Sequence, residues 1–286
     1  MKRLPLNGFF LKLLAMILMT VDHVGAFLLV YGGNESVGML LRGIGRLSFP
    51  LFLFLLAEGV RHTRNPLRYA MRIGAIYLVV EAGSTIAVYG MGQAVPSNPF
   101  TDLFYILLAL LCLRLPGVKK LFALLPIAVI GLGHGVDVYE AFHTGISVQW
   151  FPYFLRASYG IYGLLVALAF FYAPSLLALI LKKPLSDQGM SFELYSETLE
   201  GRKRLNEMSC LLFAIVTLGL WGITYLTPGR ELSGAFDMSF ETYSLLAIPL
   251  LYLYNGKRGY DSKAFRWITY LYFPVHLVVL FLIFAL

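Results

Sequence analysis

Lys12, Asp22 and His23 stand within the apolar run LKLLAMILMTVDHVGAFLLVYGG, residues 11–33, which is long enough to cross a bilayer. Ionisable groups at membrane depth are costly, and they face a bundle interior or a water-filled cavity. On a helix the step from Lys12 to His23 turns about 1,100°, within about 20° of a whole number of turns. Both side chains therefore share a face, roughly 16 Å apart along the axis. Met16 and Met19 lie between them. A cation near one membrane surface, a soft apolar middle and an imidazole near mid-depth form the track that an extended pantetheine-like thioester needs. Asp22 points about 100° away from His23, toward another helix. A buried carboxylate there needs a cation, and Arg42 and Arg46 are the nearest candidates. Asp22 then reads either as half of a structural ion pair or as electrostatic support for a site.

A second histidine, His276 in YLYFPVHLVVLFLIFAL, lies about 15 Å inside the last apolar run. Pro274 just before it removes a backbone donor and releases a carbonyl, which is tolerated where the gap lines a cavity. Glu81 falls near mid-depth in another run. Two histidines and a carboxylate at similar depth suit a polar reaction chamber, and equally a proton relay. The simpler reading of each histidine is a core imidazole satisfied by a backbone carbonyl. Glu58, Arg61 and His62 share a helix face through spacings of three and four, so an intrahelical pair is the plain reading of Glu58. Arg61, Arg64, Arg68 and Arg72 surround a helix start at RHTRNPLRYAMR, where Asn65 can cap and Pro66 suits the first turn. Arginines beside a helix N-terminus can bind phosphate. In a cytoplasmic loop they also serve as ordinary orienting charge.

The elements that must position these groups are membrane spans. The chain of 286 residues is 58% hydrophobic and only 14% charged, which excludes an ordinary soluble domain. The expected fold is all-α and polytopic, one domain over residues 1–286. Nine spans are expected at about 9–31, 44–60, 68–90, 100–115, 119–136, 157–181, 208–227, 241–254 and 267–286. The first run lacks a small-residue cleavage site and holds charges, so it reads as a retained span. With a cytoplasmic N-terminus and an outside C-terminus, about 18 of the 23 Lys and Arg lie inside. The net charge of +7 thus has a membrane explanation before a nucleic-acid one. Residues 137–156 are too polar for a span and rich in aromatics, and read as an outer-surface or re-entrant segment. Cys112 and Cys210 fall in or beside apolar spans, so neither a bridge nor a cysteine metal site is expected. No HExxH, CxxC, Walker loop or GxGxxG occurs.

DHVG at 22–25, GRLSFPLFLFLLAEGVRHTRN at 45–65, VEAG at 80–83, PFT at 99–101, YGIYG at 159–163 and LYFPVHL at 271–277 resemble, in order, the TraX family. Two positions depart from the pattern: Ser158 replaces an acidic residue before the Tyr-Gly pair, and VEAG lacks a proline. The resemblance implies an integral membrane N-acetyltransferase in a bacterial cytoplasmic membrane. The spacing from Lys12 to His23 also resembles the Lys/Arg-x10-His signature of transmembrane acyltransferases. In those enzymes the histidine is catalytic and acyl-CoA enters from the cytoplasm. The resemblance gives His23 the catalytic role and places Asp22, Arg46, Glu58, Arg61, His62, Glu81 and His276 at motif positions. The expected reaction takes an acetyl group from acetyl-CoA to an amine or hydroxyl acceptor, without a metal. Asp22, His276 and Glu81 support His23, and Lys12, Arg46, Arg61, His62, Arg64, Arg68 and Arg72 hold the donor. The alternative is a proton-coupled small-molecule transporter with Asp22, His23, Glu81 and His276 as its relay.

Overall fold

The computed structural model describes residues 4–92, 98–143, 148, 150–226 and 238–284. Among these the chain is helical apart from turns and one isolated backbone bridge between Leu6 and Tyr254. The first four helices are α1 (Gly8–Val30), α2 (Glu35–Gly45), α3 (Ser48–His62) and α4 (Pro66–Thr85). Then come α5 (Pro99–Leu113), α6 (Leu124–Phe142), α7 (Gly160–Asp187) and the short α8 (Phe192–Glu197). The last are α9 (Leu199–Leu226), α10 (Ile248–Tyr252) and α11 (Lys263–Phe284). Outward-facing positions such as Leu78, Val79, Val275 and Val278 are exposed apolar residues, as a lipid solvent requires.

Among the described residues, seven helical stretches are long and apolar enough to cross a membrane. The difference from nine lies in two places. Residues 100–115 form α5, a 15-residue helix shorter than a full span. Residues 241–254 form no long α-helix but a 3-10 segment, Phe240–Ala247, running into α10. Thirteen residues wound as α-helix reach only about 20 Å, whereas 3-10 winding of the first eight stretches them to about 24 Å. The segment 137–156 begins as the final turns of α6, and Tyr153–Leu155 is a 3-10 turn. Residues 144–147 and 149 of that segment lie outside the described residues, as do the ends of the expected spans 208–227 and 267–286.

Two devices place the deep residues. Helices α1 and α2 approach until backbone touches backbone: a Cβ on Gly25 would sit 2.6 Å from the Gly38 carbonyl. Small residues allow such closeness between helices in lipid. Gly45 likewise leaves room for Asp22. The second device is Asp102 of α5, fully buried, which accepts from the amides of Ser158, Tyr159 and Gly160 at 2.8, 2.9 and 3.0 Å. It caps α7 from another helix, so the PFT and YGIYG segments meet, and Gly160 turns the chain at φ +49°.

Candidate active site

A cavity of about 880 Å³ runs along α1 from Gly8 and Lys12 through Met16 and Met19 to Asp22 and His23. Its size lies toward the upper end of ligand pockets. The antiparallel α3 supplies the opposite wall, from His62 at the mouth through Leu55 and Phe52 to Ser48 and Phe49. Phe100, Tyr159 and Phe273 close the deep end. The helical stripe expected from Lys12 to His23 therefore faces one cavity along its whole length.

At the deep end, His23 and His276 are both buried, and His23 Nδ1 lies 2.9 Å from His276 Nε2. His276 Nδ1 lies 3.0 Å from the Tyr272 carbonyl oxygen. A carbonyl only accepts, so His276 Nδ1 carries a proton and, in the neutral ring, Nε2 offers a lone pair. His23 Nδ1–H then donates to it, which leaves the His23 Nε2 lone pair free. That nitrogen has no hydrogen-bond partner among the described residues, and His23 lines the cavity. The ring of Phe273 meets both imidazoles edge-on, and Tyr272 stacks on His276. Thr20 donates to the Met16 carbonyl at 3.1 Å, so its oxygen accepts from the Tyr272 hydroxyl at 2.5 Å. This bond ties α11 to α1 one turn from His23.

Asp22 sits between two arginines, as its helix angle required. Arg42 bonds Oδ2, and Arg46 Nη2 bonds Oδ1 at 2.8 Å. Arg46 also reaches Glu241 at 2.8 Å and lies between the rings of Tyr159 and Phe240. Its guanidinium is thereby consumed in a buried network, away from the mouth where a donor's phosphates would lie. Arg61 differs from expectation for another reason. It pairs with Glu58 and donates to the carbonyls of Phe170, at 2.7 Å, and Phe171. Pro174 four residues on has no N–H for the Phe170 carbonyl, and Arg61 fills that vacancy in α7. Glu81 lies off the cavity and accepts from Asn98 Nδ2 at 2.9 Å, so it does not join the two histidines.

The mouth carries Lys12, His62, Arg64, Arg68 and Arg72, together with Arg258 from the loop before α11 and Arg266 from the first turn of α11. The last two are absent from the sequence reading, because cations in such a loop look like ordinary orienting charge. The loop is fixed to α1: Gly8 and Phe9 amides donate to the carbonyls of Lys257 and Arg258, both at 2.8 Å. Asp261 takes Arg266 at 2.7 Å and Arg258 at 3.8 Å. Arg64, Arg68 and Arg72 make no ion pair among the described residues. No group of His, Cys, Asp and Glu able to hold a metal occurs among the described residues.

Long apolar helices around an interior cavity, charged at one end and holding an imidazole at the other, define a multi-pass membrane protein built around that cavity. The family model described as TraX protein matches residues 7–179, and the chain belongs to the TraX family. His23, Glu81 and Asp102 fall inside the matched region, whereas His276 lies beyond it. Over 72 residues the chain is 38% identical to the "Probable fimbrial assembly protein FimC, serogroup H1" of Dichelobacter nodosus. That stretch is 25% of this chain and spans 29% of the relative's length. No solved structure matches the chain.

Proposed function

We propose that this chain is an acetyltransferase of the bacterial cytoplasmic membrane that takes the acetyl group of cytosolic acetyl-CoA to an amine or hydroxyl acceptor. The observation that carries the reading is the cavity itself, which joins a cationic mouth to the open Nε2 of His23 through an apolar passage. Arg64, Arg68, Arg72 and Lys12 hold the donor's phosphates, and Met16, Met19, Phe52 and Leu55 wall the pantetheine arm. The acceptor nitrogen or oxygen attacks the thioester carbon, and His23 Nε2 takes the proton it loses. The C–S bond then breaks, and the departing CoA sulfur receives that proton from His23. His276 keeps His23 in the productive tautomer throughout. A positioned base of this kind is worth roughly 10²–10⁴-fold in rate.

The relay reading needs Glu81 in line with the histidines, and its bond to Asn98 does not favour that. An arginine-rich mouth also serves no purpose in a relay. The relative's name, which places it in fimbrial assembly, makes fimbrial proteins an acceptor class to include in the assay. The test is release of CoA thiol from acetyl-CoA by purified protein, with and without candidate amines. Arg64→Ala and Arg68→Ala should raise KM for acetyl-CoA more than KM for the acceptor. Unchanged donor kinetics across Arg64, Arg68 and Arg72 would return these residues to orienting duty. A cysteine placed at Lys119 should label only after permeabilisation, an outcome that requires both a cytoplasmic N-terminus and a crossing by α5.

A further inference from the structure

The cavity mouth has two unlike walls. One wall presents Arg64, from the turn before α4, with Arg68 and Arg72 of α4. On α1 and the segment leading into the first turn of α11, Phe9, Tyr260 and Phe265 form an aromatic cluster in which each ring touches the other two. Centroid separations are 4.7 Å for Phe9 and Phe265, 5.7 Å for Phe9 and Tyr260, and 6.0 Å for Tyr260 and Phe265. Lys12 Nζ sits 5.8 Å from the Phe265 centroid. All three rings line the cavity, yet Tyr260 is 62% exposed, so a large aromatic face is left uncovered at the rim.

The position of Tyr260 is built rather than incidental. Gly259 before it has φ +73°, and a Cβ there would collide with the Asn7 side chain, which caps α1. The loop therefore holds the ring against the start of α1. Two of the neighbouring cations on this wall share a carboxylate, since Asp261 takes Arg266 at 2.7 Å and Arg258 at 3.8 Å. One wall thus offers cations without carboxylate partners for phosphate, and the other offers an exposed ring beside two arginines that share one carboxylate.

We infer that this second wall is a platform for a purine base, and that the donor is recognised by its nucleotide end as well as by its pantetheine arm. The inference rests on the proposed use of a CoA thioester. It adds that a carrier-protein-bound or free phosphopantetheine thioester, which has no base, is a poor donor. Stacking of a base on an aromatic ring is sequence-tolerant and is lost when the ring is removed.

The test is calorimetric binding to the full chain in lipid nanodiscs, with acetyl-CoA, acetyl-4′-phosphopantetheine and inorganic pyrophosphate as probes. Tyr260→Leu keeps an apolar side chain but removes the stacking face, and Tyr260→Phe keeps the face. Tyr260→Leu should weaken acetyl-CoA roughly 5–150-fold, with acetyl-4′-phosphopantetheine and pyrophosphate unchanged. Tyr260→Phe should bind all three as the wild type does. Equal weakening of both thioesters by Tyr260→Leu, or no weakening of either, overturns the platform while leaving the CoA site standing. Failure of the folded wild type to bind either thioester overturns the donor reading and the platform with it.

Discussion

The two ends of the cavity solve opposite electrostatic problems. At the deep end each charged side chain has a counter-charge: Asp22 takes Arg42 and Arg46, and Arg46 also takes Glu241. At the mouth, Arg64, Arg68 and Arg72 stand without carboxylates. Burial accounts for the contrast. An unpaired ion far from water costs several kcal/mol, whereas one at the rim keeps its hydration. The comparison also tells which groups are left over for chemistry. Inside, among the described residues, the imidazole atom left uncommitted is a neutral one, the Nε2 lone pair of His23; at the mouth there is surplus positive charge. A neutral base within and cations without suit a ligand that is polyanionic at one end and reactive at the other.

The largest effect expected from breaking this arrangement comes at the base. His23→Ala should lower acetyl transfer by roughly 10²–10⁴-fold while acetyl-CoA still binds, because the phosphates are held elsewhere. Single-turnover transfer and calorimetry on the same preparation separate the two. Transfer within tenfold of wild type in folded His23→Ala protein would falsify the mechanism.

Asp22→Ala should act on folding rather than on rate alone. It strands Arg42 and Arg46, and removal of one partner from a buried network costs about 3–5 kcal/mol. Thermal melting in detergent should show a large drop, with Asp22→Asn intermediate because the amide still accepts a hydrogen bond. A folded and stable Asp22→Ala protein would mean that the deep charges are not balanced as described.

The third change separates positioning from chemistry. His276→Ala should leave KM for acetyl-CoA unchanged and lower kcat about 10–100-fold, part of what general-base catalysis supplies. His276→Asn keeps an acceptor for the Nδ1–H of His23 and should recover much of that loss. Equal losses in the two variants would assign His276 a merely structural role.

Legibility in the sequence followed how local each feature is. The Lys12–His23 stripe and the outward turn of Asp22 toward an arginine follow from 100° per residue along one helix, and both are present in the structure. The all-α polytopic fold was legible from apolar run length. The two expected spans that do not form long α-helices are α5 and the 3-10 segment before α10, because run length alone does not fix how a short segment winds. The histidine pair was visible only as similar depth, because its partners are 253 positions apart and the contact depends on how α1 meets α11. Asp102 was missed because its three amide partners, at the entry to α7, lie 56 to 58 positions along the chain. The Glu58–Arg61 pair was legible from spacing, whereas the bonds from Arg61 to α7 depend on Pro174 in another helix, which spacing within the RHTRN segment does not reveal.

The smallest expected effect sharpens the comparison most. Glu81 is a mid-depth carboxylate by sequence, and a relay would need its charge. Structurally it meets Asn98, whose Nδ2 donates to Oε2, while Asn98 Oδ1 accepts from the Phe100 amide. Asn98 is thereby a junction that holds the start of α5, and Phe100 in turn packs against Phe273 beside the histidines at 4.5 Å between centroids. Glu81→Gln presents an amide oxygen to the same donor, so the junction survives and only the charge assistance of one hydrogen bond is lost. That costs about 0.5–1.5 kcal/mol at most. Acetyl transfer should therefore stay within about threefold of wild type, and stability should fall only slightly. Asn98→Ala removes both bonds and should be the more damaging of the two, through loosening of Phe100. Should Glu81→Gln instead stop transfer as thoroughly as His23→Ala, the carboxylate belongs with the histidines in a working proton path, and the division between a paired interior and a single free base no longer holds.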